Sequence, residues 1–355
     1  MKQPPALVKN TSFPSTRFLG SKAKLLDWIW INIQDMQFDS VLDVFGGTGS
    51  FSYLMKKKGK QVFYNDILNF NQVIAKAIIE NKSIKISQLE VLNILKKHKN
   101  REYKEIIKNN FRGVYYREKE NEWLDIVVQN IFSIRNLYKR AILLSALYQA
   151  CLIKRPFNLF HRNNLKLRTR RVKRNFGNKT TWEKSFELHF LKFIKDFNNG
   201  VFNNGKNNSV LGGFDALNMP TKKYDLVYLD PPYISKRSQI NYLNCYHFLE
   251  GLTKYYSWER LIDRDSKNRK MKKNEEIEKW IDKKRVHDLF ADLIHKYRNS
   301  IIVLSYRNDG IPSVKEIREI FKKETGGYPI IRSKNYKYAL SNGSNKEVLF
   351  IKSNQ

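Results

Sequence analysis

Tyr224-Asp225-Leu226-Val227-Tyr228-Leu229-Asp230-Pro231-Pro232-Tyr233 decides the fold. The first six residues read as a buried strand, and the last four stand where a parallel strand would end. In open α/β sheets, ligands and chemistry collect at that edge. Proline fixes φ and has no N–H, so the backbone carbonyls around Pro231 and Pro232 need not join a ladder. An acid, a stiff corner and an aromatic ring come together here. That set suits an exocyclic amine on a planar base: two acceptors for the amine hydrogens and a surface for the ring.

Upstream lies a matching unit. Ser40–Phe45 reads as a short strand, broken by Gly46-Gly47-Thr48-Gly49. A helix follows from Phe51 to Lys58, and Gly59 supplies its stop. Gln61–Tyr64 is a second strand, ending at Asn65-Asp66. This strand, glycine turn, helix, strand and acid make the first half of a nucleotide-binding α/β fold. The glycines permit close ligand approach and φ > 0. The turn lacks the third glycine of the dinucleotide fingerprint and the Gly-Lys-Ser/Thr of a P-loop. Asp43, just before it, is wrong for pyrophosphate and right for a cationic amino group. Asp66 can accept both hydroxyls of a ribose, and Asp215, near the end of a third strand, an adenine amine. Three carboxylates on one sheet edge face a zwitterionic adenine nucleoside, and S-adenosylmethionine meets that description without a phosphate. Phe18, Gly20 and Lys22 complete the expected site: Phe18 by apolar contact, Lys22 on the cofactor carboxylate.

Between the two halves the alternation of strand and helix stops. Asn71–Asn81, Ile84–Lys97 and Trp123–Ile153 read as helices. Residues 154–182 carry ten Lys or Arg and no Asp or Glu. Basic groups interleaved with Asn, His and aromatics offer phosphate contacts and base-edge donors. The DNA-contact candidates are Lys154, Arg155, His161, Arg162, Asn163, Arg168, Arg170, Arg171, Lys173 and Arg174. Ile301–Tyr306 is a further core strand. Ile330–Tyr338 and Lys346–Lys352 form a closing hairpin across Ser341-Asn342-Gly343-Ser344.

Composition agrees. With 66 Lys and Arg against 34 Asp and Glu, the formal net charge of +32 favours a polyanion partner. Cys151 and Cys245 make no disulfide framework and fit a reducing cytoplasm. No His/Cys cluster has zinc spacing, so no metal is expected. No apolar stretch approaches a membrane span and no signal peptide is visible, so a cytoplasmic location is expected.

In order and in kind these elements resemble the D12 class of DNA N6-adenine methyltransferases, the Dam-like group, in its α arrangement. Phe18-Leu19-Gly20-Ser21-Lys22 comes first, then Asp43-x-Phe45-x-Gly47-x-Gly49, an insertion, and Asp230-Pro231-Pro232-Tyr233. The resemblance implies a Rossmann-like class I methyltransferase: a mostly parallel sheet, a C-terminal antiparallel hairpin and a largely helical target-recognition insertion. Residues 1–69 and 205–355 would form the catalytic domain and 70–204 the basic insertion. Phe18, Gly20, Lys22, Asp43, Phe45, Gly47, Asp66, Asp215 and Asp230 become S-adenosylmethionine contacts. Asp230, Pro231, Pro232 and Tyr233 become catalytic, acting on double-stranded DNA with the protein a monomer. His247 and Glu250 read as structural. An RNA adenine methyltransferase and a catalytically silent DNA-binding subunit share the charge pattern. Methyl transfer to both nucleic acids separates the first, and failure to consume cofactor the second.

Overall fold

The computed structural model describes residues 11–170, 178–220, 222–235, 239–336 and 345–353. Its centre is a seven-stranded sheet: β1 (Ser40–Asp43), β2 (Gln61–Asn65), β3 (Ser209–Gly212), β4 (Leu226–Leu229), β5 (Ile301–Arg307), β6 (Ile330–Tyr336) and β7 (Asn345–Lys352). The spatial order is β3-β2-β1-β4-β5-β7-β6. The first five run parallel, and β7 lies antiparallel between β5 and β6. This is the expected mixed α/β architecture with a C-terminal antiparallel pair. The turn at Ser341–Ser344 falls outside the described residues.

Period-two alternation sorts the strands onto two cores. Val41, Val62, Leu226 and Val303 face one hydrophobic cluster, while Leu42, Phe63, Val227 and Ile302 face the other. The second core is covered by the helices Val286–Lys296 and Val314–Thr325. The first core continues without a break into the inserted helices, so Ile74, Tyr148 and Phe193 belong to the same cluster as Val41 and Leu226. Asp225 lies just outside the β4 ladder. Its carboxylate accepts the backbone N–H groups of Asp39 and Ser40 at 3.0 and 2.8 Å, which fixes β4 against β1.

The long helix expected over Trp123–Ile153 is two helices, Glu118–Phe132 and Leu137–Ile153. Asn136 breaks it by capping the second. Its side chain accepts the N–H groups of Tyr138 and Lys139 at 3.0 and 3.1 Å. Ser87 and Glu90 form a capping box that starts the preceding helix at Gln88, later than the apolar spacing suggests. The periodicity also hides a helix over Phe186–Gly200, whose phenylalanines fill the first core.

The helix Tyr242–Thr253 leans on this core at Gly251, where a Cβ would stand 1.8 Å from Cε2 of the buried Trp258. Gly251→Ala should therefore destabilise the protein by about 1–3 kcal/mol through overpacking. A thermal melt unchanged from the parent would contradict the packing described.

Candidate active site

β3, β2, β1 and β4 are neighbours in that order and parallel, so the acids that follow their C-terminal ends arrive on one rim. They are Asp215, Asp66, Asp43 and Asp230. All four line one cavity, together with Phe18, Gly20, Lys22, Phe45, Gly47, Pro231, Pro232 and Tyr233. Every residue expected to bind the cofactor or act in catalysis therefore borders the same space.

The glycine turn shapes one wall. Gly47 and Gly49 have φ of 53° and 78°. A Cβ on Gly46 would stand 2.1 Å from the Tyr64 ring. That ring is held because the Tyr64 hydroxyl donates to the Gly47 carbonyl. Phe18 stacks on Tyr246 at 4.8 Å between centroids and closes over Gly47. Phe45 meets the edge of Trp280 at 4.9 Å.

The acids are not equivalent. Asp43 accepts the Ser52 hydroxyl at 2.7 Å through Oδ2, and its Oδ1 is buried with no hydrogen-bond partner. Burial raises its pKa to about 7. Asp66 accepts the Gly47 and Leu68 N–H groups, both at 2.8 Å, and burial raises it to about 6. Asp215 is more fully engaged. Trp280 Nε1 donates to it at 2.6 Å, and Lys279 Nζ lies 2.9 Å away. Oδ2 of Asp215 keeps capacity for one further donor.

Asp230 stands in a polar network. Lys22 Nζ donates to Oδ1 at 2.6 Å and Oδ2 at 2.7 Å, and the Tyr233 hydroxyl donates to Oδ1 at 3.0 Å. Tyr233 also reaches Glu347 Oε1 at 2.8 Å, and Ser305 donates to the same oxygen at 2.5 Å. Burial, with Glu347 nearby, raises Asp230 to about 6 against the pull of Lys22. Lys22 was expected on a cofactor carboxylate. The structure instead puts it, 4 % exposed, on Asp230. The Tyr233 ring is mostly buried and meets Tyr306 edge-on at 5.2 Å. The Pro231 carbonyl takes part in no backbone hydrogen bond among the described residues.

Sequence reasoning passed over Glu347, Trp280 and Lys279. An acid opening an otherwise apolar strand, Glu347-Val348-Leu349-Phe350, was the available signal for the first. Asn71 was also missed. It lies in the cavity wall with both polar side-chain atoms buried and unpartnered.

The basic segment divides. Lys154 and Arg155 are 2 % and 1 % exposed. Lys154 pairs with Glu120 at 2.9 Å and donates to the carbonyls of Trp182 and Lys184. Arg155 packs over Tyr115 and donates to the carbonyls of Leu159 and Arg162. Arg168 donates to Glu120 and the Tyr115 carbonyl. These three hold the insertion together and are corrected from DNA contacts to internal cations, because each head group is buried on a protein acceptor. Arg162, Asn163 and Arg170 are exposed and His161 is half-buried. Arg171, Lys173 and Arg174 fall outside the described residues. His247 and Glu250 are far from reactive: His247 is buried against Tyr115, and Glu250 accepts the Asn69 amide and the Phe70 N–H. Among the described residues there is no cluster able to hold a metal and no helix long and apolar enough to cross a membrane.

The family described as D12 class N6 adenine-specific DNA methyltransferase matches residues 18–326. The chain is 28% identical to the Type II methyltransferase M2.HphI of Haemophilus parahaemolyticus, over 98% of this chain and 100% of that protein. It is 24% identical to the Type II methyltransferase M.NlaIII of Neisseria lactamica, over 93% of this chain and 94% of that one. It is 27% identical to the modification methylase StsI of Streptococcus sanguinis, over 94% of this chain but 50% of that protein, so it spans about half of that relative.

The unpaired Asp43 oxygen makes a prediction for the ligand-free protein. Its carboxyl, raised to about 7, is charged at a cost in the folded state once the pH exceeds that value. Asp43→Asn should therefore raise the melting temperature above about pH 7, and the gain should shrink as pH falls toward the ordinary carboxylate range. A melting temperature below the parent's at every pH would refute the account.

Proposed function

The chain belongs to the D12 class of N6 adenine-specific DNA methyltransferases, and on that premise we propose that it carries a methyl group from S-adenosylmethionine to N6 of one adenine, turned out of double-stranded DNA at a specific sequence. The setting proposed is a restriction-modification or orphan modification system, with the protein a monomer on DNA. The relatives named for Type II modification support that setting.

The observation that carries the reading is the shared cavity of Asp43, with its unpaired buried oxygen, and the Lys22-bound Asp230. The donor set fits S-adenosylmethionine. Asp43 would hold the ammonium, Asp66 and Asn71 the ribose, and Phe45 with Asp215 the adenine. Bound there, the donor would supply a methyl carbon activated by its positively charged sulfur.

The acceptor nitrogen is the harder problem, because its lone pair is delocalised into the purine ring. Asp230 Oδ2 has one protein donor, and with the Pro231 carbonyl it supplies two acceptors for the two N6 hydrogens. Accepting both lets the nitrogen pyramidalise and localises its lone pair. One N6 proton must leave as the new N–C bond forms and the methyl–sulfur bond breaks with its electron pair left on sulfur, and Asp230 would take that proton. The rest is positioning and fixed electrostatics. Adenine in a duplex cannot reach such a site, and turning it out costs a few kcal/mol. The exposed part of the Tyr233 ring and the proline corner form the surface that receives it.

Purified protein should move the methyl group of isotopically labelled S-adenosylmethionine into unmethylated duplex DNA, with N6-methyladenine as the modified nucleoside. Transfer to RNA alone, or to cytosine, would overturn the proposal. Asp230→Ala should lower the turnover at least ~10³-fold, the scale of losing a preorganised electrostatic contact, while binding of an S-adenosylmethionine analogue is largely kept.

The pH profile gives a second check. Asp230 accepts hydrogen bonds from N6 only when ionised, so kcat/KM should fall as pH drops below about 6, higher than an ordinary aspartate would place that limb. Donor affinity should weaken below about pH 7, where Asp43 takes up a proton in the free protein, and Asp43→Asn should remove that dependence. An acid limb in the ordinary aspartate range would count against the ionisation argued for Asp230.

A further inference from the structure

A second concentration of positive charge follows the catalytic motif, outside the insertion. Ile262 and Met271 form an antiparallel bridge. Asp263 N–H donates to the Lys270 carbonyl at 2.8 Å and Lys272 N–H to the Leu261 carbonyl at 2.9 Å, which closes a short hairpin. Ile262 and Met271 are buried in the first core, so the turn stands on a fixed base. Its tip is docked on the insertion. The Tyr115 hydroxyl reaches the Asn268 carbonyl at 2.7 Å, and Asn268 Nδ2 donates to the Phe160 carbonyl at 3.1 Å.

Hairpin and insertion together enclose an open polar groove, lined by Asn109, Asn110, Arg112, Asn163, Arg264 and Arg269. Lys267 adds a fourth cation; the lining itself holds one carboxylate, Asp265, and Glu259 outside it lies 3.9 Å from Arg264. The Arg264 side chain is 70% exposed. Guanidinium groups and carboxamides are the side chains that pair with phosphate oxygens and with purine edges.

Backbone conformation points to the same place. The described non-glycine residues with positive φ are Phe157 (60°), Asn158 (56°) and Arg269 (53°). All three lie on the two segments that meet at Phe160 and Asn268. A left-handed backbone is ordinary for Asn158 but costly for Phe157 and Arg269, and such outliers cluster at functional sites.

We propose that the hairpin Ile262–Met271 is a duplex-DNA contact element, and that with Arg112 and Asn163 it completes a composite groove for the DNA. The inference rests on the DNA substrate proposed above. It divides target engagement between the insertion and a segment that lies beyond Asp230-Pro231-Pro232-Tyr233 in the chain. The two parts are joined by the Tyr115–Asn268–Phe160 contacts.

The test is the salt dependence of binding to a fluorescein-labelled, unmethylated duplex of mixed sequence. Each neutralised phosphate contributes a slope of about −0.9 in log K against log salt. Arg264→Ala/Lys267→Ala removes two exposed cations without touching the hairpin's internal bonds. It should flatten the slope by about two and weaken binding roughly tenfold at moderate salt, with the melting temperature unchanged. Lys315→Ala/Lys323→Ala removes the same charge from the helix on the opposite face of the sheet and should stay close to the parent. If the hairpin pair shifts no more than this control, the inference is wrong. Parent protein that binds DNA but methylates no adenine would instead overturn the proposed activity and leave the binding comparison standing.

Discussion

Four strands that each end in an acid, laid side by side and parallel, force negative charge together at one rim. The rest of the site depends on that crowding. Burial above all raises Asp43 to about 7 and Asp66 and Asp230 to about 6, with added repulsion on Asp43 from Asp230 and Asp66, on Asp66 from Glu250 and on Asp230 from Glu347. In a chain of net charge +32, this cavity is thus a place where carboxylates gather. Lys22 neutralises one end of the row, and Lys279 the other. The middle, Asp43 and Asp66, has backbone and hydroxyl donors but, among the described residues, no cation within bonding distance. The proposed ligand, bearing an ammonium and a sulfonium, would restore the balance that folding leaves open, which is a physical reason for such a site to prefer it over a phosphate-bearing nucleotide.

Glu347 extends the same row across β5 to β7, because β7 runs antiparallel and begins where β5 ends. It shares Tyr233 with Asp230 and lies 3.6 Å from Lys22. A single lysine therefore faces two carboxylates. The arrangement orients Asp230 without saturating it. A simple one-to-one ion pair would hold the carboxylate more firmly and leave it less of the proton affinity that the role proposed for Asp230 requires.

Legibility in the sequence followed local pattern. Asp43, Asp66 and Asp230 could be placed because each follows a short apolar strand, and strand ends of a parallel sheet share an edge. Glu347 could not, since its partner strand is distant in sequence and its role needs the antiparallel return of β7. Trp280 sits in a mixed-charge stretch with no strong period, and only the fold brings it to Asp215. The basic segment shows the converse limit. Lys154, Arg155 and Arg168 look like Arg162 on the page, yet Glu120, the Tyr115 ring and backbone carbonyls draw them inward. Composition can count cations; it cannot tell which of them a distant glutamate has claimed. The split of Trp123–Ile153 by Asn136 is the same lesson at shorter range, where a cap overrode a continuous apolar face.

One element ties the cavity to the basic segment of the insertion. The helix Tyr242–Thr253 departs from helical geometry at Tyr246, whose φ is −126°. Just before that kink the Cys245 carbonyl accepts the Phe160 N–H at 2.9 Å, from the segment that carries Arg162 and Asn163. At the kink itself the Tyr246 ring stacks on Phe18, and its hydroxyl accepts the Leu19 N–H at 2.7 Å, in the cavity wall. Adjacent residues thus hold the two surfaces. One buried turn joins the segment that carries Arg162 and Asn163 to the cavity wall, and methyl transfer needs both partners in fixed alignment.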